Sequence, residues 1–345
     1  MRTLHTVVPD SVHDPSRPSG GNTYDRRLTA GLVSLGWTVS EHQVPGIWPE
    51  PDDASRRAFA AETARLPDDG LVLVDGLLAS NSPETLVRLA QRLALVVLVH
   101  LPLENAPERE ALAAADAVIA TSAWTRRRLL AVHHLDPGRV HVAQPGVDSA
   151  PLSPGTPAGG ELLCVGAVTP VKGHDLLVAA LAMVGEMPWR CRCAGSLTAD
   201  SDYVEHVTRQ AREAGIATRL ELLGPLDRIG LEQAYAAADL LVVPSRVETY
   251  GMVVTEALAH GIPVLGAAVG GLPEALDGAG AEERPGLLVP ADDSEALAVV
   301  LRAWLTDVDL RERLRRSARE RRASLRPWSR TAHEVSAVLD ALTAC

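Results

Sequence analysis

The chain has 345 residues, enough for two domains of ordinary size. Its 46% hydrophobic and 22% charged residues describe a core-forming globular protein, and a net charge of −11 argues against wholesale nucleic-acid binding, which needs a basic surface. Aromatics are only 3%, so Leu, Val and Ala must build the core, as in many parallel α/β sheets.

In chain order, "TLHTVVP" (3–9) predicts a strand. "PSGGNTYDRRLTAGLVSLGW" (18–37) predicts a helix that opens on a glycine pair, with Leu28, Leu32 and Leu35 at helical spacing. "TVSEHQV" (38–44) predicts a second strand. "LVLVDG" (71–76) and "ALVVLVHLP" (94–102) are unbroken apolar runs, as expected of strands buried on both faces. "DAVIATS" (116–122) and "RVHVAQPGVD" (139–148) continue the series, and "SAPLSPGTPAGG" (149–160) has the composition of a linker. The pattern then restarts: strand "ELLCVGAV" (161–168), helix "GHDLLVAALAMV" (173–184), strand "WRCRCAG" (189–195) and helix "YVEHVTRQAREAG" (203–215). Strands or strand ends follow at 219–224, 240–245, 263–271 and 286–290, and a helix with Val335, Val338, Leu339 and Leu342 on one stripe closes the chain at 328–345. Strands separated by helices imply two doubly wound parallel α/β domains, which bind ligands at the carboxyl ends of their strands and in a cleft between them.

Four segments carry candidate chemistry. In "PSRVETYGMVVTEALAHGIPVLGAAVGG" (244–271), Glu248 precedes a glycine that opens a helical pattern, and Glu256 lies inside that pattern. The amides of Gly251, Met252 and Val253 fall in the first turn, where no intrahelical acceptor exists and the helix dipole attracts an anion. A diphosphate suits those amides. The carboxylates, which repel phosphate, suit hydroxyls on sugars at its two ends. A loop carboxylate and a solvated helix position are the plainer alternative from spacing alone. Lys172 in "VGAVTPVKGHDLL" (165–177) precedes a helix and suits a phosphate; taken alone, it reads first as a solvated loop lysine. Gly20 and Gly21 allow close backbone approach to an anion or simply form a turn. His100 ends a buried strand, where it either donates to a substrate hydroxyl or plays a structural part. No G-x-G-x-x-G fingerprint occurs, which disfavours a nicotinamide enzyme.

Taken together and in this order, these segments resemble the retaining glycosyltransferases of family 4, which have the GT-B fold. The family's E-x-F-G-x-x-x-x-E-A-x-A-x-G-x-P-V reads here "ETYGMVVTEALAHGIPV" (248–264), with Tyr250 in the Phe place. "GAVTPVKG" (166–173), the glycine pair, "ATSAWTRRRL" (120–129), "VAQPGVD" (142–148) and "LLGPL…AYAAADLLVVPS" (222–245) resemble its other signatures. The resemblance implies two Rossmann-like domains facing a cleft: an acceptor-binding domain at 1–152, a nucleotide-sugar domain at 153–327, and a last helix at 328–345 crossing back to the first. It implies a hexosyl transfer from a UDP- or GDP-linked sugar to an unidentified small-molecule, glycan or lipid acceptor. Glu248 would bind donor-sugar hydroxyls. The amides of Tyr250, Gly251, Met252 and Val253 would hold the sugar and diphosphate, and Glu256 the ribose. Lys172 would stabilise the leaving diphosphate, Gly20 and Gly21 would face the donor, and His100 would contact its sugar. One position departs from the pattern: Ala167 stands where the family often has Arg, so Lys172, the amides and another Arg must suffice or activity is weaker. An epimerase of the same fold and a non-catalytic nucleotide-sugar binder are the alternatives.

No cofactor or metal is expected. Asp200/Asp202 and Asp307/Asp309 form Asp-x-Asp pairs that do not end apolar strands, and Cys164, Cys191, Cys193 and Cys345 lack zinc spacing. "MRTLHTVVPD" is too short an apolar segment for a signal peptide, no run reaches a membrane span, and a reduced cytoplasmic compartment fits. The basic run "LRERLRRSARERRASLR" (310–326) suits weak contact with anionic lipid heads, although Glu312 and Glu320 favour a solvated helix face.

Overall fold

The structure, a computed structural model, describes residues 2–277 and 283–343. Its contacts divide the chain into two compact units. The first comprises residues 1–14, 19–146 and 326–345; the second comprises 15–18 and 147–325.

The first unit holds six parallel strands: β1 Arg2–Pro9, β2 Trp37–Val44, β3 Leu71–Asp75, β4 Ala94–Val99, β5 Ala117–Ala120 and β6 Val140–Val142, in the order β2-β1-β3-β4-β5-β6. The apolar runs of β3 and β4 pair in register, with Leu71 opposite Ala94 and Asp75 opposite Leu98. Their side chains alternate between two cores. Val72, Val74, Leu95 and Val97 lie on one face with Phe59, while Leu71, Leu73, Val96 and Leu98 lie on the other with Tyr24 and Leu28. That alternation into apolar layers on both sides is why neither strand shows a polar face. The last helix, Trp328–Thr343, packs on the helix Gly20–Ser34. A Cβ on Gly31 would stand 2.6 Å from that of Ala332, so only glycine permits this approach. Trp37 Nε1 donates to Ser336 Oγ at 2.9 Å, and Val335 and Leu339 are fully buried.

The second unit repeats the plan with β7 Glu161–Val165, β8 Arg190–Ala194, β9 Leu220–Gly224, β10 Leu240–Val243, β11 Val264–Ala267 and β12 Gly286–Val289, in the order β12-β11-β10-β7-β8-β9. The chain builds outward from β7 through β8 to β9, then returns to the other side of β7 with β10. The reversal between β7 and β10 is the topological switch point at which such sheets bind ligands.

The stretch 149–160, of linker composition, has no helix or strand but is fastened to the second unit. Ser153 N donates to His260 O at 2.9 Å, and Thr156 Oγ1 to Asp239 Oδ2 at 2.6 Å. The basic run also differs from a uniformly solvated face. Within the helix Val308–Arg322, Arg311 donates to Trp304 O and Arg315 to Asp239 Oδ1, while Arg322 Nε donates to Ala259 O. These arginines satisfy carbonyl and carboxylate groups of their own unit; Arg313, Arg316 and Arg319 face outward. No helix among the described residues is long and apolar enough to cross a membrane.

Candidate functional site

At the switch point of the second unit, the loops after β7 and β10 are knitted together. The loop after β7 ends in a 3-10 turn, Pro170–Lys172, and Gly173 at φ 68°. A Cβ on Gly173 would fall 2.2 Å from Pro244 O, so glycine lets the first loop press on the end of β10. Arg246 N then donates to Val171 O at 2.8 Å. The consequence is a pair the spacing did not announce. Lys172 Nζ lies 2.5 Å from Glu248 Oε1, which also accepts from Ser245 Oγ at 3.0 Å. Glu248 is 8% exposed, so its carboxylate is oriented by two donors in a desolvated pocket.

Arg246 escaped the sequence reading. It is the arginine nearest in sequence to Glu248, but Asp175 takes it in a bidentate pair at 2.9 and 2.8 Å, and Asp292 takes its Nε at 2.6 Å. Burial alone would raise the Asp175 carboxyl; hydrogen bonds from Arg246 and Tyr203, with the Arg246 charge, outweigh it and hold Asp175 down to about 2. The Arg246 cation is therefore committed to fastening the loop.

The helix Met252–Ala259 begins at Gly251, whose φ of 91° a side chain would strain. Val254 N already bonds Gly251 O at 2.9 Å, while Met252 and Val253 are half-buried at the helix mouth. The Tyr250 side chain is in the core, so only its backbone serves the loop. A second glycine pair, read as part of a strand end, turns out to shape this loop. A Cβ on Gly270 would lie 1.7 Å from Glu248 O, one on Gly271 would lie 2.2 Å from Thr249 O, and Gly271 N donates to Glu248 O at 2.8 Å. Gly270 lies 22 residues downstream of Glu248, and the signal was visible only as "AAVGG".

Glu256 is one turn into that helix, and its Oε2 accepts from Tyr235 Oη at 2.7 Å. Tyr235 is stacked on His260 with ring centroids 5.0 Å apart. Burial raises the Glu256 carboxyl, and the Tyr235 bond works against that rise. The second unit thus joins a lysine, a helix N-terminus and two carboxylates: amides and Lys172 can hold a diphosphate, and the acids can accept hydroxyl protons.

In the first unit, Gly20 and Gly21 open the helix Gly20–Ser34, where Ser19 caps Asn22 N at 3.0 Å. A Cβ on Gly21 would stand 3.3 Å from the His100 ring. His100, just past β4, bonds Asp25 Oδ1 through Nε2 at 2.8 Å. Asp25 and Asp75 were not singled out from sequence. They and His100 have donor atoms that all lie within 4.8 Å of one another.

Cys164, His174 and Cys193 form a second such group, inside the core. Contact with Cys193 and burial push the Cys164 thiol well up, so it behaves as an apolar core atom. Cys345 lies outside the described residues. Asp200 and Asp307 are helix caps, accepting from Tyr203 N at 2.9 Å and Leu310 N at 2.9 Å.

Residues 158–321 match the family described as Glycosyl transferases group 1, and residues 77–150 match Glycosyltransferase Family 4. The D-inositol 3-phosphate glycosyltransferase 1 of Catenulispora acidiphila is 33% identical over 318 residues, 81% of this chain and 74% of that protein. The chain spans about half the length of other curated relatives that it matches, 47% of one and 57% of another. Among solved structures, sucrose-phosphate synthase from Thermosynechococcus elongatus superposes with a TM-score of 0.81 at 23% identity, covering 100% of both chains. Anabaena Alr3699/HepE in complex with UDP-glucose gives 0.76 at 18% identity, covering 99% of this chain and 100% of that one. These likenesses show a GT-B fold. The chain belongs to glycosyltransferase family 4.

Proposed function

We propose that this chain transfers a hexosyl unit from a nucleoside diphosphate sugar, UDP- or GDP-linked, to an acceptor hydroxyl with retention at the anomeric carbon. The observation that carries the proposal is the Lys172–Glu248 pair, 2.5 Å long, set at the switch point beside the N-terminus of the Met252–Ala259 helix. In this reading the diphosphate sits on the amides of Gly251, Met252 and Val253 and draws the Lys172 ammonium toward itself. Glu248 then turns its freed oxygen to hydroxyls of the sugar, backed by Tyr250 N. Glu256, oriented by Tyr235, takes the ribose. As the glycosidic bond breaks, negative charge grows on the β-phosphate oxygen, where amides and Lys172 already point. The protein's own cation and dipole do the work that a bound metal does elsewhere. Gly20, Gly21 and His100 complete the donor's surroundings.

Residues 153–327 serve the donor and 1–152 the acceptor, with 328–345 belonging to the latter. The named relative is a D-inositol 3-phosphate glycosyltransferase, which supports glycosyl transfer here, and the HepE structure holds UDP-glucose, which supports a nucleotide-sugar donor. The proposed setting is the cytoplasm. Any weak contact with a membrane surface falls to the outward Arg313, Arg316 and Arg319.

Thermal unfolding against a panel of nucleotides and nucleotide sugars tests the proposal. A ligand at a hundred times its Kd adds about 2.7 kcal/mol, so the right base stands out by several degrees. A panel in which no nucleotide moves the midpoint overturns the reading. Incubation of the donor without acceptor separates transfer from epimerisation, which would alter the sugar unaided. Tyr235→Phe removes one bond to Glu256; the expected result is a KM for the donor raised about 3- to 10-fold with kcat little changed, measured by steady-state kinetics.

A further inference from the structure

Two buried carboxylates in the first unit, Asp25 and Asp75, lie beside His100 and have no place in the donor-site chemistry above. Asp25 and Asp75 are 6% and 3% exposed, and the His100 side chain is 12% exposed. Two carboxylates at this separation, away from water, do not both ionise; one keeps a proton and gives it to the other. The partners indicate which. Asp75 Oδ1 caps the turn Gly76–Ala79, accepting from Leu77 N at 2.6 Å. Asp25 Oδ1 faces His100 Nε2, and its Oδ2 is buried with no partner among the described residues. A proton on Asp75 would satisfy that orphan oxygen, leaving Asp25 as the anion that faces His100.

We propose that Asp25 is a positioning residue for His100, holding it as an imidazolium whose Nε2–H is spent on Asp25 and whose Nδ1–H is offered to an oxygen of the ligand, while Asp75 in its protonated form donates to Asp25 from behind. The electrostatics agree. Burial and the Asp25 charge raise Asp75 to about 7. Burial would lower His100, but the Asp25 charge and bond, with Asp75, carry it up to about 9. The other ring against His100 is Tyr24, edge-on at 5.2 Å, whose hydroxyl is turned away to Ala143 O. Among the described residues, Tyr24 and Asp25 on the helix and Asp75 at the end of β3 are the titratable groups that face the imidazole. A charged N–H is a donor about twice as strong as a neutral one.

The role of the offered N–H rests on the donor reading of His100; the charge state does not, so the test is made on the ligand-free protein. The His100 ring is followed by NMR through a pH titration of ring-labelled protein, assigned with His100→Gln. In the native chain His100 is expected to remain an imidazolium to pH 8. Asp25→Asn should lower its midpoint by about 2 units. Asp75→Asn, whose amide can donate to Asp25 Oδ2 as the acid does, should hold the midpoint within about half a unit. Neutral His100 at pH 7 in the native chain, or equal falls in the two variants, overturns the proposal. Selective broadening of the His100 signals by micromolar Mn²⁺ would also overturn it, because a cation would then replace the proton. A failed nucleotide panel with an intact titration would remove the donor reading alone. Stability follows with a definite sign: the His100 contribution is complete below its unfolded value of 6.5 and is lost as pH rises through about 9.

Discussion

Lys172→Ala is expected to lower kcat for sugar transfer roughly a hundred- to a thousandfold, the range seen when one preorganised group is removed from a developing oxyanion. Two features make this lysine matter. Ala167 offers no charge where the family often places Arg, and Arg246, in the same pair of loops, is held by Asp175 and Asp292. In the proposed reaction the leaving diphosphate would therefore depend on Lys172 and the helix amides. The loss should fall mainly on kcat, because the charge that Lys172 answers grows in the transition state. Stability should also fall, by about 1–3 kcal/mol: Lys172 is 31% exposed on its side chain, but Glu248, at 9%, is left in its pocket without a cation. Lys172→Met, of similar length, separates charge from packing and should match alanine in rate. Steady-state transfer assays and thermal melts measure both quantities. An unchanged rate in either variant removes Lys172 from the mechanism.

Gly270→Ala should destabilise the second unit by about 2–4 kcal/mol and abolish detectable nucleotide binding. The new Cβ would meet Glu248 O at 1.7 Å, a backbone atom that cannot swing aside. To relieve the overlap the 248–250 loop must move, taking Glu248 away from Lys172 and Ser245. Positive φ adds its own strain, since Gly270 sits at 57°. Gly215→Ala is the control. It has φ 71° but nothing within 4 Å of its would-be Cβ, so it should cost only about 1 kcal/mol and leave binding intact. Denaturant melts and calorimetric titration with the best nucleotide compare the two. Equal behaviour would mean that Gly270 is needed for its dihedral angle and not for the loop it supports.

The amino-acid sequence alone determined the parallel α/β class, because strands covered on both faces must be apolar without interruption, as "LVLVDG" and "ALVVLVHLP" are. It also determined the segment around Gly251, where a helix start and two carboxylates lie within nine residues and need no distant partner to be recognised. What it left unwritten was every contact made across the fold. Lys172 and Glu248 are 76 residues apart, and His100 and Asp25 are 75. Their meeting depends on which strands are neighbours, and strand order leaves no mark on local periodicity. The basic run 310–326 shows the same limit: charge spacing suggested a solvated face, while Arg311, Arg315 and Arg322 turn inward to acceptors up to 172 residues away or near at hand. Gly270 read as part of a strand end because glycine records only that a side chain is excluded, and the atom that excludes it, the carbonyl oxygen of Glu248, is known only when both loops are folded together.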